Sequence, residues 1–308
     1  MHKRDFYGIY FLENYELNFI CGVKIRIHTV AGMPLMVEKG IKLRLLTFIE
    51  KLTYKAANHV WPNSGSLYNY IIEHKFATAK KLQIIGKGST NGINTSRFNR
   101  NVLDEKIIQQ IKSSITFSTE SIYLLCIGRL VADKGIVELV NVFGLLQKKY
   151  PDLKLILTGD FEEELDPLPS GIIQQIQNNP NIIHIKWTQQ VEYFMHIANF
   201  FVFPSHREGF PNVLLQAGAM QLPIICSRIA GNVDIVTHEQ TGLIFEKANE
   251  QEMETQIEYA INNPQQMQAM ALKLEQIIIN DYRRENIWQN ILTEYILLLN
   301  SSKMALPT

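Results

Sequence analysis

Cysteine is scarce in this sequence of 308 residues, which contains only three. Cys21, Cys126 and Cys226 lie far apart, and neither a Cys-x-x-Cys pair nor a Cys/His cluster accompanies them. This spacing predicts reduced core residues rather than metal ligands. Long apolar runs are also missing, since no stretch approaches the ~20 residues of a membrane-spanning helix. The N-terminus lacks an apolar segment with a small-residue cleavage site, so we predict a cytosolic protein.

Net charge is missing as well, because 30 basic and 30 acidic residues give a formal charge of zero. The balance hides an asymmetry: residues 1–100 hold 15 Lys/Arg against 6 Asp/Glu, and the other 208 hold 15 against 24. A solvated surface explains the basic front part, since its lysines surround an ordinary amphipathic helix. The alternative is attraction to an anionic membrane surface or a phosphate-bearing acceptor. Nucleic acid is not expected, because no basic cluster interleaved with aromatic residues resembles a binding module.

The composition, 46% hydrophobic and 19% charged, predicts a globular chain with a sizeable core and about two domains. From residue 121 onward apolar strands alternate with helices. The predicted strands are "SIYLLCIG", "LKLILTG", "NIIHIKW", "FFVFPS", "PIICS" and "GLIFE", and the predicted helices between them are "GIVELVNVFGLLQKKY", "VEYFMHIA" and "NVLLQAGAM". Apolar strands separated by helices indicate a parallel sheet covered on both faces, as in a doubly wound domain. Three helices are predicted from about residue 250, and we expect the last to pack back across the front half.

The residues before 120 are less regular. We predict two helices, over residues 41–58 and in "SLYNYIIEHKF". The predicted strands are "VKIRIHTV", "HVWPNSG", which runs into a turn, and "KLQIIGKGS". The polar stretch "TNGINTSRFN" that follows is typical of a linker.

Two stretches follow strands at the end where open parallel sheets bind ligands. The first, "GRLVADKG", offers Arg129 and Lys134, while Gly128 and Gly135 permit close backbone approach. Together the two cations would neutralise a diphosphate. The alternative is that Lys134 is an exposed residue entering a helix and that Gly128 only turns the chain.

The second stretch, "SHREGFPN", combines a carboxylate with a helix start. Asn212 is predicted to cap a helix, and the free amides of the next three residues would favour a phosphate there. Glu208 precedes this end, where its carboxylate could accept hydrogen bonds from sugar hydroxyls, and Gly209 lets a ligand approach the main chain. The alternative roles of Glu208 are to cap the helix or to pair with Arg207.

These stretches together resemble a known family. "GRLVADKG", then "PSHREGFPNVLLQAGAMQLPII" and "TGLIF", is similar to the donor half of retaining glycosyltransferases of the GT-B fold, family four. "GDFEEELDPLP" and "IHTVAGMPLM" resemble the branch that builds bacterial capsular and other surface polysaccharides. The resemblance implies an α/β fold of GT-B type, in which two Rossmann-like domains face a cleft. Without it, the acidic run from Glu162 to Glu164 is interpreted as a solvated face.

The resemblance also implies a role for each matching residue. Arg129 and Lys134 match the basic pair on the donor diphosphate, and Glu208 matches the first glutamate of an E-x7-E motif, which contacts the donor sugar. Gln216 stands in place of the second glutamate, which binds the ribose, so a charge-assisted bond is lost although the amide oxygen still accepts. The implied donor-binding residues are Gly128, Gly209, Phe210, Pro211, Asn212, Val213 and Gln216.

The implied reaction transfers a sugar, by resemblance a UDP-linked N-acetylhexosamine or hexose, to a glycan or lipid-linked acceptor with retention. Neither a protein nucleophile nor a metal or other cofactor is implied, because Arg129, Lys134 and the helix dipole would stabilise the leaving diphosphate. The sequence also has no Asp-x-Asp motif. Relatives carry a histidine in a V-H-G-like turn where this sequence has alanine in "HTVAG". His28 is interpreted as a strand residue rather than its substitute.

Relatives begin with further βα units before the segment that matches "VKIRIHTVAG", so the resemblance implies an N-terminally truncated chain. We expect an abbreviated acceptor-side domain over 1–100, a donor domain over 101–280 and a helix crossing back over 281–308. One hypothesis is an active cytoplasmic glycosyltransferase whose abbreviated front domain still closes the cleft, alone or with a partner subunit, and whose basic part contacts the membrane surface peripherally. The second is a catalytically silent remnant that retains nucleotide-sugar binding. A GT-B-fold epimerase is the third, although its catalytic carboxylates and histidine have no clear match.

Overall fold

The computed structural model of the protein describes residues 23–304 except for 34, 36–38, 163 and 165. Cys21 therefore lies outside the described residues. The chain divides into two compact units. One holds the described residues up to Gly92 together with those from Glu285 onward, and the other runs from Ile93 to Arg284.

The first unit contains a pair of short parallel strands. Their register runs from Ile27 opposite His59 to Val30 opposite Pro62. Both strands and both helices of this part were predicted, and the structure confirms them within a few residues at each end. The elements are β1 (Ile27–Val30), α1 (Gly40–Ala56), β2 (His59–Pro62) and α2 (Gly65–Glu73).

One predicted strand of this unit is wrong. The segment "KLQIIGKGS" makes only an isolated bridge, between Leu82 and Val60. The chain then turns through Gly86 and Gly88, whose φ angles are 59° and 94°. Such left-handed backbone does not continue a strand. A Cβ on Gly88 would lie 2.3 Å from the carbonyl oxygen of Asn63, so the turn also packs tightly.

The second unit is built on a six-stranded parallel sheet, in which the strands that begin at residues 182, 153, 122, 200, 224 and 243 lie side by side in that order. All six strands were predicted, whereas the helices Glu105–Ser114, Ser170–Asn178 and Asn232–Ile235 were not. The strands are β3 (Ile122–Ile127), β4 (Leu153–Thr158), β5 (Ile182–Ile185), β6 (Phe200–Phe203), β7 (Ile224–Ser227) and β8 (Leu243–Phe245). The helices are α3 (Glu105–Ser114), α4 (Ile136–Lys149), α5 (Ser170–Asn178), α6 (Val191–Ile197), α7 (Asn212–Ala219), α8 (Asn232–Ile235), α9 (Glu250–Asn262) and α10 (Pro264–Asp281).

The sheet is covered on both faces, as its apolar strands predict. Along β3, Tyr123 and Leu125 enter one hydrophobic core, while Leu124 and Cys126 enter the other. Burial raises the pKa of the Cys126 thiol to about 12. Cys126 and Cys226 are both free and buried, which confirms their predicted place in the core. The doubly wound architecture of this unit is confirmed.

The last helix of the chain, α11 (Arg284–Met304), is grouped mostly with the first unit. Ile287 is buried there, and the Tyr295 ring lies 5.2 Å from that of Trp61. With α9 and α10, it completes the three helices predicted after residue 250. Within the described part of the chain, none of the helices has the length and apolarity needed to span a bilayer.

Candidate active site

The two predicted loops leave the same edge of the second sheet. β3 and β6 are neighbours, with Leu124 paired to Phe200 and Leu125 to Phe201. The chain moves outward from β3 through β4 to β5 and then returns to β6, so the strand order reverses between β3 and β6. A reversal of this kind opens a crevice at the carboxyl ends of the strands, where such sheets bind ligands.

Lys134 and Glu208 meet in this crevice. The Nζ atom of Lys134 lies 2.5 Å from Oε1 of Glu208, and each side chain is 18% exposed. Ser205 Oγ lies 3.1 Å from the same carboxylate oxygen. The pair is therefore largely shielded but still reachable from solvent, which suits groups that contact a ligand.

A glycine allows the two loops to come this close. Gly135 adopts a left-handed φ of 68°, and a Cβ there would lie 2.2 Å from the carbonyl oxygen of Pro204. Because no other residue fits against Pro204 without displacing backbone, Gly135 fixes the distance between the loops. Gly128 is held in a similar way, since its carbonyl oxygen lies 1.9 Å from where a Cβ on Gly159 would be.

The alternative roles considered for Glu208 are wrong. Arg207 pairs with Asp133 instead, with Nε 2.7 Å from Oδ2. The backbone amide of His206 also donates to the carbonyl oxygen of Asp133, at 2.9 Å. Helix α7 has no side-chain capping bond at its start. The side-chain partners of the Glu208 carboxylate are therefore Lys134 and Ser205.

Arg129 has a partner that the sequence did not predict. Its Nη1 atom forms an ion pair with Oε2 of Glu162. Glu162 is therefore not part of a solvated face, because it is drawn to the cation of the neighbouring loop. Glu164 is exposed, as interpreted, and Glu163 lies outside the described residues. Arg129 itself is 38% exposed, so an anion from solvent can reach it.

The start of α7 differs by one residue from the prediction. Pro211 precedes the helix, and Asn212 is its first residue rather than its cap. Leu214 donates its amide to the carbonyl oxygen of Pro211, at 3.0 Å, so the prediction that this amide is free is wrong. The first amides of a helix have no acceptor inside it and carry its positive dipole end. Val213 and Gln216 are partly exposed on this short helix. Gln216 is four residues after Asn212, so it lies about one helical turn beyond the start of the helix.

Three of the predicted donor-binding residues, Gly209, Phe210 and Pro211, pack the loop against the rest of the unit. Phe210 is buried in the core, where its ring lies 5.7 Å from that of Tyr282. Pro211 is also buried. Gly209 packs under Gly231, where a Cβ would lie 2.6 Å from the Gly209 carbonyl oxygen. The loop is therefore fixed against the core before any ligand arrives.

A contact between His206 and Glu138 holds the same loop to α4. His206 Nε2 lies 3.0 Å from Oε1 of Glu138, and both side chains are partly exposed. The contact with Glu138 raises the pKa of His206, and Asp133 adds to the increase while burial and Lys247 oppose it. Burial works against ionisation of Glu138, but the contact with His206 and a hydrogen bond from the backbone amide of Glu138 together lower the pKa of Glu138.

Sequence reasoning missed Ser205, Glu138, Asp133 and Glu162. Ser205 lies three residues before Glu208, so short-range spacing offered a signal for it. Glu138 and Asp133 contact His206 and Arg207, which lie far away in the sequence, so spacing offered none for them. The Ser205 carbonyl oxygen accepts a hydrogen bond from the Ser227 hydroxyl, which anchors this end of the loop to β7. Glu162 gave no such signal, because its partner is 33 residues away.

His28 does not join this group. It lies on β1 of the first unit, as predicted, and its ring meets that of Tyr54 edge to face at 5.1 Å. Burial lowers its pKa to about 4, so it is a neutral core histidine.

The crevice thus offers two kinds of contact. Lys134, Arg129 and the first amides of α7 attract an anion, while Glu208 and Gln216 carry oxygens that accept hydrogen bonds from hydroxyl groups. Among the described residues, His, Cys, Asp and Glu side chains do not gather into a group of three or more that could hold a metal ion.

The part of the chain that contains these residues also matches a known family. The family profile described as glycosyl transferases group 1 matches residues 107–277. A capsular polysaccharide biosynthesis glycosyltransferase, CapM of Staphylococcus aureus, is 31% identical over 287 residues, which cover 92% of this chain and 73% of CapM. An Escherichia coli UDP-Gal:alpha-D-GlcNAc-diphosphoundecaprenol alpha-1,3-galactosyltransferase is 23% identical, with 74% of this chain and 57% of that protein covered.

Solved structures show the same fold. HepE of Anabaena in complex with UDP matches with a TM-score of 0.80 at 16% identity, covering 94% of this chain and 76% of HepE. Its complex with UDP-glucose matches with a TM-score of 0.78. The α/β fold of GT-B type expected from the sequence is therefore confirmed.

Proposed function

This chain belongs to the group 1 glycosyl transferases, and on that premise we propose that it transfers a sugar from a nucleoside-diphosphate sugar to a glycan or lipid-linked acceptor, with retention, in surface polysaccharide biosynthesis. The observation that carries the proposal is the contact between Lys134 and Glu208 beside the start of α7. A cation, a helix end and a carboxylate stand together where a donor would place its diphosphate next to its sugar.

The diphosphate is assigned to Lys134, Arg129 and the first amides of α7. The charge that develops on the leaving diphosphate is stabilised by groups that are already in place, so little reorganisation is needed when the glycosidic bond breaks. An ammonium group has three N–H donors, so Lys134 can hold a phosphate oxygen while it keeps Glu208. Arg129 exchanges Glu162 for the phosphate.

The sugar is assigned to Glu208 and the nucleoside to Gln216. Glu208 accepts from a hydroxyl group of the sugar, while Gly209 leaves its main chain open to the ligand. Gln216 lies about one helical turn beyond the phosphate end of α7. Its amide oxygen can accept from a ribose hydroxyl, more weakly than a carboxylate would.

Donor and acceptor classes follow from the relatives. HepE binds UDP and UDP-glucose, and the E. coli relative acts on a diphosphoundecaprenol-linked sugar. We therefore assign a UDP-linked hexose or N-acetylhexosamine as donor, a lipid-linked sugar as acceptor, and the cytoplasmic face of a membrane as the place of transfer. The reaction is proposed to need no metal, because the cations named above take the charge of the diphosphate.

The alternative of a silent remnant that retains nucleotide-sugar binding would keep the same contact between Lys134 and Glu208, so transfer and not donor binding distinguishes the two. Membership of this family favours transfer over the epimerase alternative.

The test is a transfer assay with an undecaprenyl diphosphate-linked N-acetylglucosamine as acceptor. UDP-glucose, UDP-galactose and UDP-N-acetylglucosamine serve as donors, with and without EDTA. One donor is expected to yield a product whose anomeric proton, by NMR, shows the configuration of the donor, with EDTA having no effect. A product of inverted configuration would contradict retention, and a protein that binds UDP yet transfers none of the sugars would favour the remnant.

A further inference from the structure

A chain of buried hydrogen bonds leads from α8 to the Glu208 carboxylate. Its side chains belong to Asn232, the first residue of α8, to Ser227 at the end of β7 and to Ser205, and each is fully buried. Nδ2 of Asn232 donates to the carbonyl oxygen of Ser227 at 3.0 Å and to its Oγ atom at 3.2 Å. The Ser227 hydroxyl donates to the carbonyl oxygen of Ser205, and the Ser205 hydroxyl donates to Oε1 of Glu208 at 3.1 Å. Three buried side chains thus connect the carboxylate assigned to the donor sugar with the start of α8.

The chemistry of these groups fixes the direction of the hydrogen bonds. The carbonyl oxygen of Ser227 only accepts, so the amide of Asn232 must turn its nitrogen, and not its oxygen, toward it. The same nitrogen occupies the acceptor side of the Ser227 hydroxyl, whose single hydrogen then points at the Ser205 carbonyl oxygen. Asn232 therefore orients the hydroxyl group that ties the loop after β6 to β7.

The turn between β7 and α8 supports the same loop at a second point. Gly231 has a left-handed φ of 85°, and a Cβ there would lie 2.6 Å from the carbonyl oxygen of Gly209. Glu208 therefore lies between two residues, Ser205 and Gly209, whose main chain is contacted by residues 227–231. A carboxylate on a loop that is fixed on both sides needs little reorganisation when a sugar binds.

Stability alone does not explain an asparagine at position 232. Its Oδ1 atom is buried and has no hydrogen-bond partner among the residues that the structure describes. Such an oxygen loses its hydration without compensation, which destabilises the fold. An apolar side chain of similar size would avoid this cost but could not donate to Ser227. The donated hydrogen bonds therefore account for the amide group at this position.

We propose that Asn232 and Ser227 are positioning residues, which hold the Glu208 carboxylate where it receives the donor sugar. The inference rests on the proposed function, because it requires Glu208 to bind that sugar. The groups assigned to the diphosphate have other supports. Lys134 and Arg129 come from the loop after β3, and α7 is anchored by its own buried residues. Loss of the positioning residues should therefore affect the sugar and not the diphosphate.

The experiment compares the affinities of UDP and of a UDP-sugar by calorimetry. UDP-glucose, UDP-galactose and UDP-N-acetylglucosamine are each titrated, and the one that binds most tightly is kept. The ratio of its affinity to that of UDP measures what the sugar contributes, because the diphosphate contacts are common to both ligands. Ser227→Ala and Asn232→Leu are each expected to lower this ratio about threefold to tenfold, the range for one lost hydrogen bond, while UDP binds as before. In the transfer assay kcat should fall about tenfold or more, because Glu208 is misplaced.

A double-mutant cycle distinguishes positioning from a general loss of structure. In the Glu208→Ala chain, Ser227→Ala should change the ratio little further, because the carboxylate that it positions is gone. A full effect of Ser227→Ala in that background would overturn the proposal. Urea denaturation checks that each variant is folded, and Asn232→Leu enters the same cycle if Ser227→Ala is not.

Thr241→Val is the matched control within the same unit. Thr241 is 5% exposed, and its hydroxyl accepts a hydrogen bond from the amide of Thr237 at 2.8 Å. The change removes a buried hydroxyl that lies outside the chain leading to Glu208, so stability should fall while the ratio and kcat stay the same. A ratio lowered as much by Thr241→Val as by Ser227→Ala would contradict a positioning role.

The Glu208→Ala chain also separates this inference from the proposed function. If Glu208→Ala lowers the ratio but Ser227→Ala and Asn232→Leu do not, the positioning role is wrong and the proposed function stands. If the chain binds no UDP, or if Glu208→Ala leaves the ratio and kcat unchanged, the proposed function is contradicted and this inference falls with it.

Discussion

The ammonium group of Lys134 and the carboxylate of Glu208 lie 2.5 Å apart, although 74 residues separate them in the sequence. Each comes from a loop after a different strand, and the two strands are neighbours only because the order of the sheet reverses there. The close approach of these loops requires Gly135, whose missing side chain admits the backbone of Pro204. Sheet topology and one glycine together place the carboxylate that we propose binds the sugar next to the ammonium group that we propose binds the phosphate.

Removal of the Glu208 carboxylate should abolish transfer. We expect Glu208→Ala to lower kcat/KM by about a hundredfold or more, because the donor sugar loses a charged acceptor next to the reacting centre. The free energy of unfolding should change by less than about 2 kcal/mol, since the side chain is not in the core. Rates and urea denaturation measure the two effects. Glu164→Ala, an exposed carboxylate on a neighbouring loop, is the control and should leave both unchanged; normal turnover by Glu208→Ala would remove Glu208 from the site.

Replacing Gln216 by glutamate should strengthen nucleoside binding. A carboxylate forms a charge-assisted hydrogen bond with a ribose hydroxyl, so Gln216→Glu is expected to bind uridine several-fold more tightly. Uridine is the better probe, because the added charge repels the phosphates of UDP. Gln174→Glu, on an exposed position of α5, is the matched control. An unchanged affinity for uridine would place Gln216 away from the ribose.

Glu162 should compete with the donor for Arg129. In Glu162→Gln the guanidinium group is released and a negative charge next to the site is removed, so we expect UDP to bind up to about fivefold more tightly. Calorimetry with UDP and with uridine distinguishes this effect from any change at the ribose, since only UDP should respond. Weaker UDP binding would show instead that Glu162 holds Arg129 in its useful position.

The pair formed by His206 and Glu138 should make stability depend on pH. Because the folded pKa of His206 is raised, its contribution is complete below the usual value of about 6.5 and is lost as the pH rises through the folded pKa. Urea denaturation at about pH 6 and about pH 8 should therefore show a larger difference between the unaltered chain and His206→Gln at the lower pH.

The carboxyl partner supplies the control for this effect. The pKa of Glu138 is lowered, so its own contribution fades only when the pH falls through that lower value, outside the range tested. In a Glu138→Gln background, the pH dependence attributed to His206 should shrink. If it persists at full size, Asp133 and not Glu138 is the group that matters.

The strands of the second unit were predictable because parallel strands buried on both faces are apolar throughout. The two loops, with Arg129, Lys134 and Glu208, could be found for the same reason, since each follows such a strand. The contact between the two loops could not be predicted, because hydrophobic periodicity does not show in which order the strands lie in the sheet. The ion pair of Arg129 with Glu162 depends on the same topology, as the two residues lie after adjacent strands β3 and β4.

The errors have local causes. "KLQIIGKGS" has the composition of a strand, but two glycines in left-handed conformation turn the chain. Asn212 is a good capping residue by type, yet Pro211 takes the position before the helix. Helices α3 and α5 were missed because their apolar residues are few and separated by glutamine and lysine.

The most direct test of the account is calorimetric titration of UDP into the purified chain and three variants. The crevice between the loops after β3 and β6 is claimed to hold the diphosphate, so saturable binding is expected. Lys134→Ala and Arg129→Ala should each weaken it by about tenfold to a hundredfold, the range for a lost hydrogen bond to a charged group. Lys148→Ala, an exposed lysine on α4, should not weaken it. A folded chain that binds no UDP, or binds it equally well without Lys134 and Arg129, would contradict the account.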